Sequence, residues 1–213
     1  MAKVLFLVAN FYPTANSVSK QVATEFINHY ISYNAKDEIK VLNLCEHEFP
    51  IVDYPILDGW DKLAAGADKA SLPKEQQRKM DAVERMCDEF VSADKYVVVA
   101  PNWNLMVPPQ LVNYMLSVCR VGRTFNYFSD HIEPLLKEAD KKVLTIVSSG
   151  YVCTEPGELN YFVGMDWMRN VFRLCGVENF DSILVEGVDQ YPEKRDEIIT
   201  TAKVEAEIYA KTF

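Results

Sequence analysis

The chain has 213 residues, of which 49% are hydrophobic and 25% charged, and its net charge is −9. That length and balance predict one folded domain over 1–213 with enough apolar surface for a core, and they exclude a disordered chain. The acidic charge argues against general affinity for nucleic acid or an anionic membrane surface, since both call for clustered Lys or Arg.

Lys3 to Ala9 (KVLFLVA) is a short apolar run and predicts a strand. Ser17 to Tyr33 follows with Val18, Val22, Phe26 and Tyr30 on one side at helical spacing. Glu38 to Leu44 (EIKVLNL) alternates apolar and polar residues, as a strand nearer a sheet edge does. The right-handed crossover rule makes these two strands parallel, with the helix on one face. From Cys45 to Leu72 the periodicity is lost among Pro50, Pro55, Gly59 and Gly66, which predicts a long irregular connection carrying Trp60.

Helical spacing returns from Lys74 to Ala93, with Pro73 at its start, where a missing amide proton costs nothing. The next stretch, Lys95 to Tyr114 (KYVVVAPNWNLMVPPQLVNY), is the most informative in the chain. Tyr96, Val97, Val98 and Val99 form a continuous apolar run that suits a strand covered on both faces, and Pro101 ends the pairing. Gln110 to Arg120 is a predicted helix with Gly122 as its stop. Arg123 to Leu136 holds an aromatic patch that fits neither a long helix nor a buried strand and reads as an excursion. Lys142 to Ser148 is a fourth core strand, Asn160 to Cys175 a helix ending before Gly176, Asn179 to Val185 a fifth strand, and Glu193 to Lys211 the last helix. Alternation of this kind defines an α/β doubly wound five-stranded parallel sheet with helices on both faces.

The five cysteines are widely spaced, odd in number and free of any Cys-x-x-Cys pair, so reduced, mostly core thiols are expected, with Cys153 the candidate for reactivity. His29, His47 and His131 are scattered as surface residues would be, and no metal site is expected. No apolar stretch approaches the roughly 18 residues of a membrane-spanning helix, and the amino terminus has a strand pattern rather than that of a signal peptide. A soluble, cytoplasmic protein is the expectation.

In open α/β sheets ligands sit beyond the carboxyl ends of the strands. The loop after the first strand, Asn10 to Ser19, has neither the Gly-x-Gly-x-x-Gly fingerprint nor a P-loop. It carries Asn16, Ser17 and Ser19 into a helix amino terminus, where free amides and the helix dipole favour a phosphate. The same residues also suit plain helix capping, by Asn16 or Ser17. Loops after the first, third and fourth core strands meet at the switch point of a flavodoxin-type sheet, strand order 2-1-3-4-5, where flavin mononucleotide (FMN) binds. Trp103 suits the flat wall such a ring needs, and equally a core or interface position.

The segments Ala100-Pro101-Asn102-Trp103-Asn104-Leu105, Gln110-Leu111-Val112-Asn113-Tyr114 and Arg120-Val121-Gly122-Arg123-Thr124-Phe125-Asn126-Tyr127 resemble the FMN-dependent NADH azoreductases, within the flavodoxin-like quinone reductases. The likeness extends over nearly the whole chain in element order. It implies a phosphate site at Ser17, Val18 and Ser19, with Asn10 at its edge. It also implies that Pro101, Asn102, Trp103, Asn104 and Leu105 lie along the flavin ring, and that Ser148, Ser149, Gly150 and Tyr151 close the pocket. Phe125, Tyr127 and Phe162 are the implied contacts to an aromatic acceptor, or packing in a dimer interface.

Three departures stand out. The turn that is often Ser-Arg-Gly-Gly in the family reads Ser148-Ser149-Gly150-Tyr151, which bears on acceptor range and pyridine-nucleotide preference, and the usual tyrosine is Trp103. The early serine of the family aligns with Ala9 or Asn10. The implied activity is two-electron ping-pong transfer from NADH, or NADPH, through FMN to a quinone or azo compound, by a homodimer with active sites at the subunit interface. Backbone amides near Asn104 and Gly150 are implied to stabilise charge on the reduced ring, and no protein nucleophile is needed. The alternatives are an FMN electron carrier to a protein partner and a flavin-free, non-catalytic homologue.

Overall fold

A computed structural model describes residues 1–46, 49–137, 140–155 and 161–213. Five parallel strands form one sheet: β1 (Lys3–Val8), β2 (Glu38–Asn43), β3 (Lys95–Pro101), β6 (Lys142–Ser148) and β7 (Asn179–Val185), in the order β2-β1-β3-β6-β7. Counting only the core strands, this is the predicted order. A separate antiparallel pair, β4 (Phe125–Tyr127) with β5 (Ile132–Pro134), makes a small hairpin.

The continuous apolar runs are explained by burial on both faces of the sheet. Val4 and Phe6 on β1, Val97 and Val99 on β3, and Leu144 and Ile146 on β6 point to one side, against α1 (Val18–Tyr33) and α6 (Arg195–Thr212). Leu5 and Leu7, Tyr96 and Val98, and Val143 and Val147 point to the other side. There they meet α3 (Lys74–Ser92), α4 (Pro109–Val118) and α5 (Val163–Cys175) through Phe90, Tyr114 and Phe172. Side chains alternate across a strand, so Tyr96 to Ala100 of β3 face one helix layer or the other in turn, and each large apolar group so buried contributes about 1.5–3 kcal/mol.

One α-helix was not anticipated. Tyr54–Ala64 is a helix, α2, inside the stretch expected to be irregular. Its proline and glycine are not breakers here. Pro55 lies in the first turn behind Asp53, whose carboxylate accepts from the Ile56 amide at 3.3 Å. Gly59 lets α2 lie close on α3, since a Cβ there would stand 2.4 Å from the Met80 sulfur. The aromatic excursion resolves into the β4–β5 hairpin. Helix α4 stops at Cys119 rather than at Gly122, whose left-handed backbone (φ +76) instead turns the chain into β4. Helix α5 does end at a left-handed Gly176, as expected. Its predicted start at Asn160 lies outside the described residues, as does His47. The last helix begins at Arg195, after a short 3₁₀ turn over Pro192–Lys194.

All five cysteines are free thiols, and Cys87, Cys153 and Cys175 are buried. The fold brings Cys119 Sγ to 3.4 Å from Cys175 Sγ, a neighbourhood invisible at 56 residues' separation. The hydrogen bond to Cys175, then burial, push the Cys119 thiol up.

At the amino edge of the sheet Asp37 ties four segments together. Its carboxylate accepts from the Ala2 amide (2.7 Å), the Tyr30 hydroxyl (2.7 Å) and the Lys95 ammonium (3.4 Å). Burial alone would raise its pKa, but these donors and the Lys95 charge outweigh it and hold the carboxyl below its usual range. A depressed folded-state pKa makes this stabilisation complete above the unfolded value of about 3.9 and lost as pH falls through the folded value. Asp37→Asn should therefore cost about 1–3 kcal/mol at neutral pH and progressively less below about pH 4, which urea denaturation at several pH values will measure.

Candidate functional site

The strand order reverses between β1 and β3, which remain parallel, and the loops leaving β1, β3 and β6 lie side by side at that switch point. Main-chain bonds stitch the rim: the Ala9 amide donates to the Val99 carbonyl (2.8 Å), Asn102 to Ser148 (2.8 Å) and Ser149 to Val185 (3.0 Å).

The β1 loop folds its polar side chains inward. Asn10, Ser17 and Ser19 are 3%, 3% and 0% exposed. Asn10 Nδ2 donates to Ser17 Oγ (2.7 Å) and Ser19 Oγ (3.3 Å), while its Oδ1 accepts from the Tyr12 amide (3.0 Å). Ser17 is the N-cap of α1, accepting from the Lys20 amide at 3.3 Å. Capping and hydroxyl clustering thus coexist in one residue. Asn16 does not cap α1 and sits in a 3₁₀ turn over Thr14–Asn16. The result is two hydroxyls and a carboxamide gathered at the amino end of a 16-residue helix, a donor set and dipole suited to a phosphate.

The β3 loop forms the facing wall. Trp103 and Met106 exchange main-chain bonds (2.7 and 2.9 Å), closing a two-residue turn over Asn104 and Leu105. Both central residues have left-handed backbone, φ +49 and +70, as the tight hairpin turn of this shape requires. Asparagine tolerates that conformation, whereas leucine is strained in it, and strain of this sort concentrates at functional sites. Trp103 stands 37% exposed, its ring parallel to that of Phe11 (centroids 6.2 Å apart, 6° between planes). Behind them lies a largely apolar hollow of about 730 Å³ lined by Val107, Gln110, Val112 and Leu116. A second hollow, about 600 Å³, continues from Gln110 and Asn113 to Phe49, Ile51 and Lys79. Gln110 Oε1 is buried between them with no hydrogen-bond partner among the described residues.

Asn102 is a strut: its Nδ2 donates to the Tyr161 carbonyl (3.0 Å) and the Cys153 sulfur (3.4 Å). Ser148 and Ser149 are buried, Ser149 Oγ donating to the Tyr151 carbonyl (2.6 Å), while the Tyr151 ring is exposed. Cys153 Sγ also bonds the Tyr151 carbonyl (3.3 Å), which makes it a tether buried in the loop. Phe162 reaches the same rim, just ahead of α5, where the Gly164 amide donates to the Leu105 carbonyl (2.8 Å).

Phe125 and Tyr127 do not join them. Helix α4 carries the chain back to the amino edge of the sheet, and the β4–β5 hairpin packs there beside Cys175 and Gly176. Phe125 is 6% exposed and Tyr127 61%. Sequence reasoning missed Phe11, whose only signal was an aromatic residue in a strand-exit loop, and Gly164, whose role depends on a contact about sixty residues away.

Fold and rim together define a flavodoxin-like protein, and the chain belongs to that family: its sequence matches the family described as having a flavodoxin-like fold over residues 2–209. Within the family the resemblance to FMN-dependent NADH oxidoreductases is borne out. The chain is 36% identical over 213 residues to the FMN-dependent NADH:quinone oxidoreductase of Staphylococcus haemolyticus, and 35% identical to the protein of that name from Geotalea uraniireducens, covering 100% of both chains in each case. Among solved structures it is similar to an azoreductase from Bacillus anthracis (TM-score 0.91, 30% identity, 100% of both chains). It is also similar to an FMN-dependent NADH-azoreductase from that organism solved in complex with FMN (TM-score 0.92, 25% identity, 100% of this chain and 99% of the other).

Proposed function

We propose that this protein is an FMN-dependent oxidoreductase that uses NADH to reduce quinones and azo compounds, working in the cytoplasm as a homodimer. The observation that carries the site assignment is the coincidence, at one switch point, of the Asn10–Ser17–Ser19 donor cluster and the Trp103 wall. The comparisons favour the enzyme over an electron carrier or a flavin-free homologue.

When bound, FMN supplies the two-electron chemistry between NADH and the acceptor. The chain's own residues bind and orient. Ser17, Ser19 and the amino end of α1 hold a phosphate, and Asn10 aims both hydroxyls. Pro101, Asn102, Trp103, Asn104 and Leu105 form one wall, stiffened by main-chain closure. Ser148, Ser149, Gly150 and Tyr151 form the adjoining rim, with Phe162 beside it. Preorganised donors and walls of this kind lower the cost of ordering a ligand.

Dimerisation is supported by a set of exposed apolar residues along and beyond α4. Ile51, Leu116, Phe11 and Trp103 are exposed and linked by the two hollows beside α4, and Val121, Tyr127, Phe128 and Ile132 are exposed beyond its end. Such a surface marks an interface, and a partner copy would bring its exposed Tyr127 to the site, while Phe125 stays buried in its own hairpin. Leu116, 59% exposed at the centre, is the sensitive position. Leu116→Glu should shift sedimentation from dimer to monomer and reduce NADH turnover at least about tenfold, because an unpaired charge would be desolvated in the interface.

The direct test is spectroscopic. The purified protein reconstituted with FMN should be yellow, bleach with NADH and recover with a quinone, with steady NADH consumption while quinone lasts. A protein that takes up FMN without turning over NADH would be a carrier, and one that does neither would overturn the reading.

A further inference from the structure

The loop leaving β7 does not belong to the rim just described, yet it grips one part of it at nearly every residue. Glu186 is the first residue after the strand. Its Oε1 accepts from the amides of Cys153 (2.7 Å) and Thr154 (3.1 Å), and its Oε2 accepts from the Thr154 hydroxyl (2.6 Å). Further on, the amides of Asp189 and Gln190 both donate to the Gly150 carbonyl (2.9 Å each), and Gln190 Oε1 accepts from the Val152 amide (2.8 Å). Gly150 lies so close to this loop that a Cβ on it would stand 2.4 Å from Asp189 Oδ2. The main-chain polar groups of 150–154 are therefore satisfied largely by one neighbouring loop.

Two features single out Glu186 within this grip. A carboxylate accepting from two amides and a hydroxyl makes charge-assisted bonds, which are shorter and stronger than neutral ones. The segment it fixes is also the one that Asn102 reaches, through Cys153, from the opposite wall. Contact thus runs from Glu186 to Cys153 to Asn102, joining the β6 rim to the β3 turn.

We propose that Glu186 is a positioning residue for FMN binding: through Cys153 and Thr154 it sets the shape of the 149–154 loop and, by way of Asn102, its spacing from the Trp103 wall. The inference rests on the reading that this loop lines the flavin site. Nothing in it requires Glu186 to touch the flavin. What is required is an acceptor at the position of Oε1, so the amide isostere should serve where a truncated side chain does not.

The test uses the full chain reconstituted with FMN, reading FMN affinity by flavin fluorescence, the visible circular dichroism of bound flavin, and amide exchange at Cys153 and Thr154 in the FMN-free protein. Glu186→Ala should raise the FMN Kd about tenfold, change the flavin dichroism and speed exchange at both amides. Glu186→Gln keeps an acceptor for the amides and should return the Kd to within about threefold of the parent. If Glu186→Ala does not fold, Thr154→Val removes the 2.6 Å arm alone and should raise the Kd by about threefold with faster exchange at Thr154. Tyr151→Ala separates the two levels of failure. If Tyr151→Ala alters flavin binding and Glu186→Ala does not, the positioning role is overturned. If neither alters it, the loop does not line the flavin site, and the role falls with that reading. Equal weakening by Gln and Ala would also overturn it, since the effect would then belong to the charge and not to the acceptor.

Discussion

Ser17→Asp is expected to keep helix α1 and lose FMN. Aspartate is as good an N-cap as serine and the helix dipole welcomes a negative charge at this end, so the apoprotein should stay folded, at a cost of about 1–3 kcal/mol for burying the carboxylate. The Asn10 amide that donates to Ser17 Oγ at 2.7 Å can donate equally to a carboxylate. A phosphate brought to the same cluster would instead meet a like charge. Two unit charges about 5 Å apart at an effective dielectric of about 20 interact by roughly 3 kcal/mol. On that scale the FMN Kd should rise at least about a hundredfold. Fluorescence titration alongside a thermal melt of the apoprotein separates the two effects. An unchanged Kd would move the phosphate away from Ser17 and with it the main support for the site.

The second large effect concerns Gly164. Its amide bonds the Leu105 carbonyl, and a Cβ built on it would stand 2.8 Å from the Val107 nitrogen and 2.9 Å from Met106 Cα. Those are main-chain atoms, which cannot rotate aside as a side chain can. Gly164→Ala must therefore push the start of α5 away from the 103–106 turn. The expected cost is about 1–3 kcal/mol in stability, the range of overpacking in a close contact. FMN affinity should fall as well, because the displaced turn carries Trp103. Urea unfolding and FMN titration of this variant, beside an alanine substitution on the exposed face of α5 such as Asn170→Ala, will show whether the loss is specific to the contact. Parent-like midpoints and affinity would mean that the turn is not braced by α5.

The layered fold was readable because its signals are local. Uninterrupted runs such as Tyr96 to Val99 can be buried only between two helix layers, and the order of strands and helices leaves few connections to choose from. Helix α2 was hidden by Pro55 and Gly59, residues whose meaning depends on what lies beside them: Asp53 as a cap and Met80 as a neighbour. At the site, the strand-exit loops could be placed from the sequence, and the hydroxyls of Ser17 and Ser19 could be picked out by their position before a helix. The roles of Phe11, Gly164 and Glu186 could not, because each is defined by a contact with a loop about thirty to ninety residues away. The same distance in sequence hid the meeting of Cys119 with Cys175.

The 103–106 turn has a bearing on how such a protein can change. Its backbone path is fixed by main-chain bonds between Trp103 and Met106 and by the glycine behind it, so it does not depend on which side chains stand at 103 to 105. Mutational drift at Trp103 can exchange one flat ring for another, and drift at Asn104 and Leu105 can sample residues that accept a left-handed backbone, without reshaping the pocket. Asn102 has no such freedom, since its amide is the strut to Tyr161 and Cys153. A library aimed at new acceptors would therefore vary 103 to 105 and leave 102 and 164 alone.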